Sequence, residues 1–291
     1  MYTKILIPLD GSKFAEAILP YARMLAQDLG IPVDLLCVND PRETMTCPPY
    51  MANEYLATIG ASFTSTAGVI VESGHTAATI VELAVAQPNM LIAMATHGYS
   101  GTKRWLLGSV AEKVLRAAAN HVLLVHPASG EARVAAKLTS VLVPLDGSKL
   151  AEMVLPTVRE LALRLSLQVE LVRVTRRIYS APPEAFVPVF GANPPNLKKL
   201  WEEAHDEANQ YLIDIADQLR SQGLAQVDSL VLEGGADGAA AALVDLIEKT
   251  PDSLVAMCTL GGSGVGNWPV GSVTERVVRH TSGPILVIRP R

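Results

Sequence analysis

Two Gly-Ser pairs, Gly108-Ser109 and Gly271-Ser272, close glycine-containing loops of the same spacing. The first loop reads Ala95-x2-Gly98-x9-Gly108-Ser109 and the second Cys258-x2-Gly261-x9-Gly271-Ser272. Glycine lets a backbone N–H approach an anionic oxygen without a Cβ in the way. If a helix starts at the Gly-Ser pair, its unbonded N–H groups and the positive end of its dipole face the same anion. A second repeated group stands far upstream. Asp10 and Asp146 each sit inside the hexapeptide PLDGSK, at 8–13 and 144–149. A carboxylate beside a phosphate loop can accept from a ribose hydroxyl or hold a Mg²⁺ ion against phosphate oxygens. A lone Asp-Gly-Ser is also an ordinary turn or helix entry, but duplicated together with the glycine loops these residues fit a phosphate-bearing ligand with a sugar hydroxyl.

Those residues need elements to position them, and the chain supplies the elements twice. Each PLDGSK follows a short apolar run and precedes a helix-like stretch, and Leu19-Pro20 aligns with Leu155-Pro156. A later block, AMATHGYSGTKRWLLGSVAEKVLR, lies over AMCTLGGSGVGNWPVGSVTERVVR. The chain is therefore two copies of one unit. The spacing predicts domains over 1–127 and 138–291 with a small polar linker at 128–137. Predicted strands are 3–9, 33–38, 68–72, 90–95 and 121–125 in the first copy. In the second they are 139–145, 168–174, 227–232, 253–258 and 284–288. These are near-continuous Val/Ile/Leu runs, as parallel strands covered on both faces require. Alternation with helices points to an α/β class, each copy a doubly wound parallel sheet flanked by helices. In that class ligands bind beyond the carboxyl ends of the strands, where the strand order reverses. The first and fourth strands would be neighbours there, bringing each aspartate to its glycine loop.

Composition narrows the alternatives. A net charge of −5 gives no reason to expect nucleic acid as a partner. No uninterrupted apolar run approaches the roughly 18 residues of a membrane helix, so no membrane role is expected. MYTKILIPLDG runs straight into a strand, without the basic and apolar regions of a signal peptide. Three cysteines without a CxxC pair suit a reducing cytoplasm. The six histidines show no metal spacing.

Three local expectations follow. Ser109 and Ser272 are each followed three residues later by a glutamate, Glu112 and Glu275, which reads as a capping box. A long amphipathic helix over 197–222 carries an apolar stripe from Leu197 through Trp201, Ala204, Ala208, Tyr211 and Leu212 to Leu219, and Gly223 ends it. The first copy offers only a short helix around 52–59 in the same place. Its sheet face would then be bare unless the 178–196 stretch or a second chain covers it.

The motifs ILIPLDGS and VLVPLDGS, with ATHGYSGTKRWLLGSVAEKVLR and its partner, resemble the universal stress protein family in its tandem two-domain form. The likeness covers essentially the whole chain. It implies two five-stranded parallel sheets of the adenine nucleotide alpha hydrolase-like, Rossmann-like kind. It also implies pairing through the last strands, as a homodimer or within one chain, and ATP, with Mg²⁺, at the switch point. On this likeness Asp10 and Asp146 meet the ribose and metal, and Val38 and Val174 line the adenine pocket. Gly98, Gly108 and Ser109, with Gly261, Gly271 and Ser272, hold phosphates, and Val110 and Val273 complete the nucleotide site. Ala95 and Cys258 stand where the family's first motif glycine belongs. The first loop carries Lys103 and Arg104 where the second has Gly266 and Asn267, which favours the first copy for a polyphosphate. The function implied is regulatory, with a scaffold of the same fold as the alternative and a slow ATPase third. A hydrolase needs a positioned base. Only His97 adjoins a loop, and its counterpart is Leu260.

Overall fold

The computed structural model describes residues 1–42, 49–97, 107–127, 136–176, 197–235, 237–259 and 271–289. Two successive α/β units follow one plan. The first runs β1 (Lys4–Pro8), a 3-10 turn (Ala15–Ile18), α1 (Leu19–Leu29), β2 (Val33–Asn39), α2 (Pro49–Gly60), β3 (Ala67–Ser73), α3 (Thr76–Val85), β4 (Met90–Ala95), α4 (Ser109–Ala117) and β5 (Val122–Val125). The second runs β6 (Ser140–Pro144), α5 (Lys149–Glu152), α6 (Leu155–Leu165), β7 (Gln168–Arg176), α7 (Leu197–Ser221), β8 (Val227–Gly234), α8 (Gly238–Lys249), β9 (Ser253–Cys258), α9 (Ser272–His280) and β10 (Ile285–Ile288).

All ten strands form one sheet, in the order β3-β2-β1-β4-β5-β10-β9-β6-β7-β8. Neighbours within each unit are parallel. The units meet where β5 and β10 pair antiparallel, with Leu123 opposite Leu286. Pairing through the last strands thus occurs inside this chain, and both last strands are interior to the sheet. The strand order reverses between β1 and β4, and again between β6 and β9, so the two switch points expected from the repeat are both present.

Helices cover both faces of the inner strands, which is why β4, β5, β9 and β10 read as apolar runs, whereas the edge strands β3 and β8 are partly exposed. One core layer gathers side chains from α1, α2, α6 and α7. The other gathers α3, α4, α8 and α9. Each layer contains residues of both units, so the seam is packed on both sides. The repeated Leu-Pro places proline in the first turn of α1 and α6, where no N–H is needed. Helix α1 ends at Gly30 in the left-handed region (φ 65°). The equivalent residue after α6 is Ser166 (φ 54°), the one non-glycine with positive φ among the described residues.

Two helix expectations change. Helix α2 spans twelve residues, longer than the short helix predicted, and buries Ala52 and Leu56 completely against β2 and β3. With Phe63 also buried and Tyr55 and Ile59 packed beside it, it covers the face that the sequence suggested would be bare. Three turns suffice because their apolar stripe is centred on the strands. Residues 178–196 lie outside the described residues. In α7 only the second half of the stripe is core: Ala208, Leu212, Ile215 and Leu219 are buried, whereas Ala204 is exposed and Leu200 is 44% exposed. The amphipathic pattern continues beyond the sheet that it packs against.

Candidate functional site

The PLDGS turn forms in the same way in both units. Past Pro8, the Leu9 N–H still donates to Leu36 O (2.8 Å), and Leu145 does the same to Val172 O (2.8 Å). Gly11 (φ 82°) and Gly147 (φ 86°) then turn the chain away from the sheet. Asp10 Oδ1 accepts from the Ser12 N–H at 2.9 Å, and Asp146 Oδ1 accepts from Ser148 at 2.9 Å. The serine hydroxyls accept from Ala15 and Ala151 N–H, each at 3.1 Å, and so cap the following helical turns. Each aspartate therefore uses one carboxylate oxygen to shape its own turn. The carboxylate is held at the carboxyl end of its strand, half-buried for Asp10 and exposed for Asp146.

The glycine loops return to the sheet by a short hydrogen-bonded link. The Thr96 N–H donates to Val125 O (2.9 Å), and Thr96 O accepts from Gly108 N–H (2.8 Å). In the second unit Thr259 donates to Ile288 O (2.8 Å), and its carbonyl accepts from Gly271 N–H (2.5 Å). A Cβ on Gly108 would lie 2.8 Å from Thr96 O, closer than side chains approach a backbone oxygen. The close approach is what demands glycine there.

Gly108 and Gly271 are the N-caps of α4 and α9. The capping-box expectation is thus displaced by one residue. Ser109 and Ser272 are the first helical residues, with exposed side chains, and the glycine carbonyls accept from Glu112 and Glu275 N–H (2.9 Å each). The glutamates instead pair one turn on, Glu112 with Arg116 (2.5 Å) and Glu275 with Arg279 (2.9 Å). Capping by a serine would have needed its backbone at the contact with Thr96 O, where a Cβ does not fit. Among the described residues no side chain caps either helix start, so the first N–H groups can serve another acceptor.

In the second unit these parts line one cleft, whose volume including its open mouth is about 660 Å³. Asp146, Val174, Cys258, Gly271, Ser272 and Val273 all border it. Gly261 lies outside the described residues, as does Gly98 in the first unit. The first unit brings Asp10, Val38, Ala95, Gly108, Ser109 and Val110 to the matching rim, through β1, β2, β4 and α4. Val38 and Ala95 are buried there, and Val110 is half-buried. Lys103, Arg104, Gly266 and Asn267 also fall outside the described residues.

Several groups at the two rims went unread in the sequence. Thr274 Oγ1 donates to Cys258 O (2.9 Å) and ties α9 to β9. Burial pushes the Cys258 thiol up to about 12, so it is a neutral wall of the cleft, with its Sγ near Ala151 O. Asp40, two residues beyond Val38, is buried and accepts from the Arg42 N–H (3.0 Å) and the Thr76 N–H at the start of α3 (3.3 Å). Hydrogen bonding from Arg42 leads in holding its pKa down to about 2. The repeat has Arg176 in its place. Arg173 lies 4.9 Å from the Tyr211 ring centroid, and its guanidinium also abuts Gly147. A charged residue in a strand interior gave no sequence signal of this kind.

His97 is buried just past the end of β4, its Nδ1 3.1 Å from Thr96 Oγ1 and its ring 5.0 Å from that of His126. Desolvation lowers its pKa first, and the charges of His126 and Arg279 lower it further. No three His, Cys, Asp or Glu side chains cluster as a metal site among the described residues. No helix among them is long and apolar enough to cross a membrane.

A doubly wound sheet made twice, each time with an aspartate turn facing a glycine-capped helix start, defines a tandem switch-point α/β protein. The sequence profile of the universal stress protein family matches residues 1–126 and again 137–289, so the chain belongs to that family. Among solved structures it is similar to a universal stress protein from Archaeoglobus fulgidus DSM 4304, at 19% identity over 99% of each chain with a TM-score of 0.74. It is also similar to a functionally unknown protein from Pseudomonas aeruginosa PAO1, at 14% identity, covering 99% of this chain and 93% of that one, TM-score 0.67. At these identities the likeness concerns the fold. No curated protein matches the chain.

Proposed function

We propose that the chain is a stress-response-type regulatory protein that binds adenine nucleotide, ATP with Mg²⁺, at the switch point of one or both units. The observation that carries this reading is the cleft where Asp146, Val174, Cys258 and the Gly271–Val273 helix start converge. In it the valine suits an adenine face, the aspartate a ribose hydroxyl, and the open helix N-terminus the phosphates. The first unit repeats the arrangement with Asp10, Val38, Ala95 and Gly108–Val110. We take the first unit as the stronger site, because its loop carries Lys103 and Arg104 where the second has Gly266 and Asn267. The donor set fits Mg²⁺ only as a companion of phosphates: one carboxylate per site, Asp10 or Asp146, with the remaining positions left to phosphate and water. When bound, the ion would neutralise phosphate charge; the protein's own residues orient the nucleotide.

The buried cysteines Cys37 and Cys258, in a chain with no CxxC pair, suit a cytoplasmic location, which forms part of the proposal. A second reading, a scaffold of the same fold, is favoured by one observation. The repeated Asp-Gly-Ser already serves its own turn through Oδ1 and the serine cap. Calorimetric titration of the full chain with Mg-ATP separates the two. The nucleotide reading expects saturable heat, with the tighter component removed by Gly108→Val and the weaker by Gly271→Val. A chain that gives no heat at millimolar ATP is a scaffold.

A further inference from the structure

The two units differ at their seam. Arg289, just past β10, donates through Nη1 to Arg116 O (2.9 Å) and Ala118 O (3.2 Å), the carbonyl end of α4. A permanent cation is well placed at a helix C-terminus. The repeat puts His126, just past β5, in the position corresponding to Arg289. Its imidazole charges only when it takes up a proton.

His126 does not stand alone. The neighbouring ring, 5.0 Å away, is that of His97, which is 8% exposed. The His97 Cα lies 3.5 Å from the point a Gly108 Cβ would occupy, so the residue adjoins the N-cap of α4 and thus the first phosphate loop. Both Nε2 atoms are buried without a hydrogen-bond partner among the described residues. A buried unpartnered nitrogen costs free energy, so two side by side call for an explanation.

The charges facing this corner are mostly positive. Arg279, at the end of α9, comes from the second unit, and Arg276 lies one turn back, while burial and those two arginines lower the pKa of the adjacent His280 and keep it uncharged near pH 7. Glu275 is engaged by Arg279, and Glu112 on α4 by Arg116. Thr96 meets His97 through Nδ1, and His126 Nδ1 faces Pro127 O at 3.3 Å. Burial and the cationic neighbours keep His97 uncharged near pH 7 while no anion is present. An anion at the adjacent helix start would reverse that balance.

We propose that the His97–His126 pair is a proton-linked sensor of polyphosphate in the first unit, reporting its occupancy to the seam with the second unit. The inference rests on the nucleotide reading and specifies how that site is regulated. A phosphate near the start of α4 favours the charged imidazole, which then gains a partner for its Nε2–H. Binding takes up a proton, so affinity rises as pH falls below the raised pKa of the occupied state and levels off below the lowered pKa of the empty one, by up to about tenfold per pH unit for one linked proton. The second unit has Leu260 and Arg289 at the equivalent positions, and its site lacks this dependence.

Nitrogen-15 resonances of the imidazole rings in the full chain test this, assigned with His97→Gln and His126→Gln. At pH 7 Mg-ATP should move His97 from the neutral toward the imidazolium pattern and perturb the resonances of the neighbouring His126 ring, whereas adenosine should not. In His97→Gln the pH dependence of ATP affinity in the first site should vanish. ATP that binds by calorimetry while the His97 ring stays neutral overturns the sensor and leaves the nucleotide reading standing. Charging of His97 by adenosine also overturns it, because the phosphates would then be irrelevant. No ATP binding at all overturns the nucleotide reading and the sensor together.

Discussion

Replacing Gly108 by alanine would place a Cβ 2.8 Å from the oxygen of Thr96, the same oxygen that accepts the Gly108 N–H. Neither atom has an easy retreat. Thr96 is held to β5 through Val125 O, and Gly108 O is engaged by the Glu112 N–H. Relief must stretch or break the Thr96–Gly108 bond, a loss of about 1 kcal/mol. Local overpacking adds about 1–3 kcal/mol. The expected destabilisation is therefore about 2–4 kcal/mol, read as a lower urea midpoint at unchanged m-value. If the helix start holds phosphate, ATP affinity in the first unit falls as well, since the α4 amides move with Gly108. Gly30→Ala is the control. A Cβ there meets nothing within 4 Å, so its cost is the left-handed backbone alone, about 1–2 kcal/mol, without any effect on nucleotide. Should Gly108→Ala cost less than about 0.5 kcal/mol, the close approach is not what selects glycine at this loop, and the reasoning fails.

Other expectations follow from the same structure. Ser166→Gly relieves the left-handed residue after α6 and should raise stability by up to about 1 kcal/mol, measured by urea unfolding. Asp40 has a lowered pKa of about 2, so its bonds to Arg42 and Thr76 add stability that is full above the ordinary carboxylate pKa and lost as pH falls through about 2. The difference in stability between wild type and Asp40→Asn should accordingly shrink over pH 4 to 2; a difference that stays constant there would show that its charge is immaterial. Leu286→Ala, at the centre of the seam opposite Leu123, should cost about 2–5 kcal/mol and lower the stability of both units together, because each core layer runs across the seam. Hydrogen exchange that changes only in the second unit would contradict a shared core.

Much of this architecture could be read from residue order because it is built from local signals. Apolar runs mark the inner strands, buried on both faces, while the repeated PLDGSK motifs mark the ends of β1 and β6 and the Gly-Ser pairs the starts of α4 and α9. The readings that shifted depended on contacts between distant segments. Ser109 satisfies the pattern of a capping serine, yet the carbonyl of Thr96 leaves room only for a glycine at that corner, so the cap moves to Gly108. The α7 stripe is periodic throughout, but periodicity does not say where the sheet beneath it ends. The expected bare face is covered because α2 places Ala52 and Leu56 directly over β2 and β3, which its composition does not reveal. His126, Arg279 and Arg289 carried no signal at all. Their meaning arises only where β5 meets β10, and nothing in the spacing of one unit encodes its contact with the other.

The measurement that tests the central claim most directly is the nucleotide content of freshly purified chain. The protein is denatured, released small molecules are separated by chromatography, and adenine nucleotide is counted per chain, followed by titration of the emptied protein with Mg-ATP. The account predicts ATP or ADP at one to two per chain, or full recovery of that stoichiometry on titration. Protein that releases no nucleotide and gives no heat with Mg-ATP would contradict it, and would leave the repeated aspartate turns and glycine caps as structural devices of a scaffold.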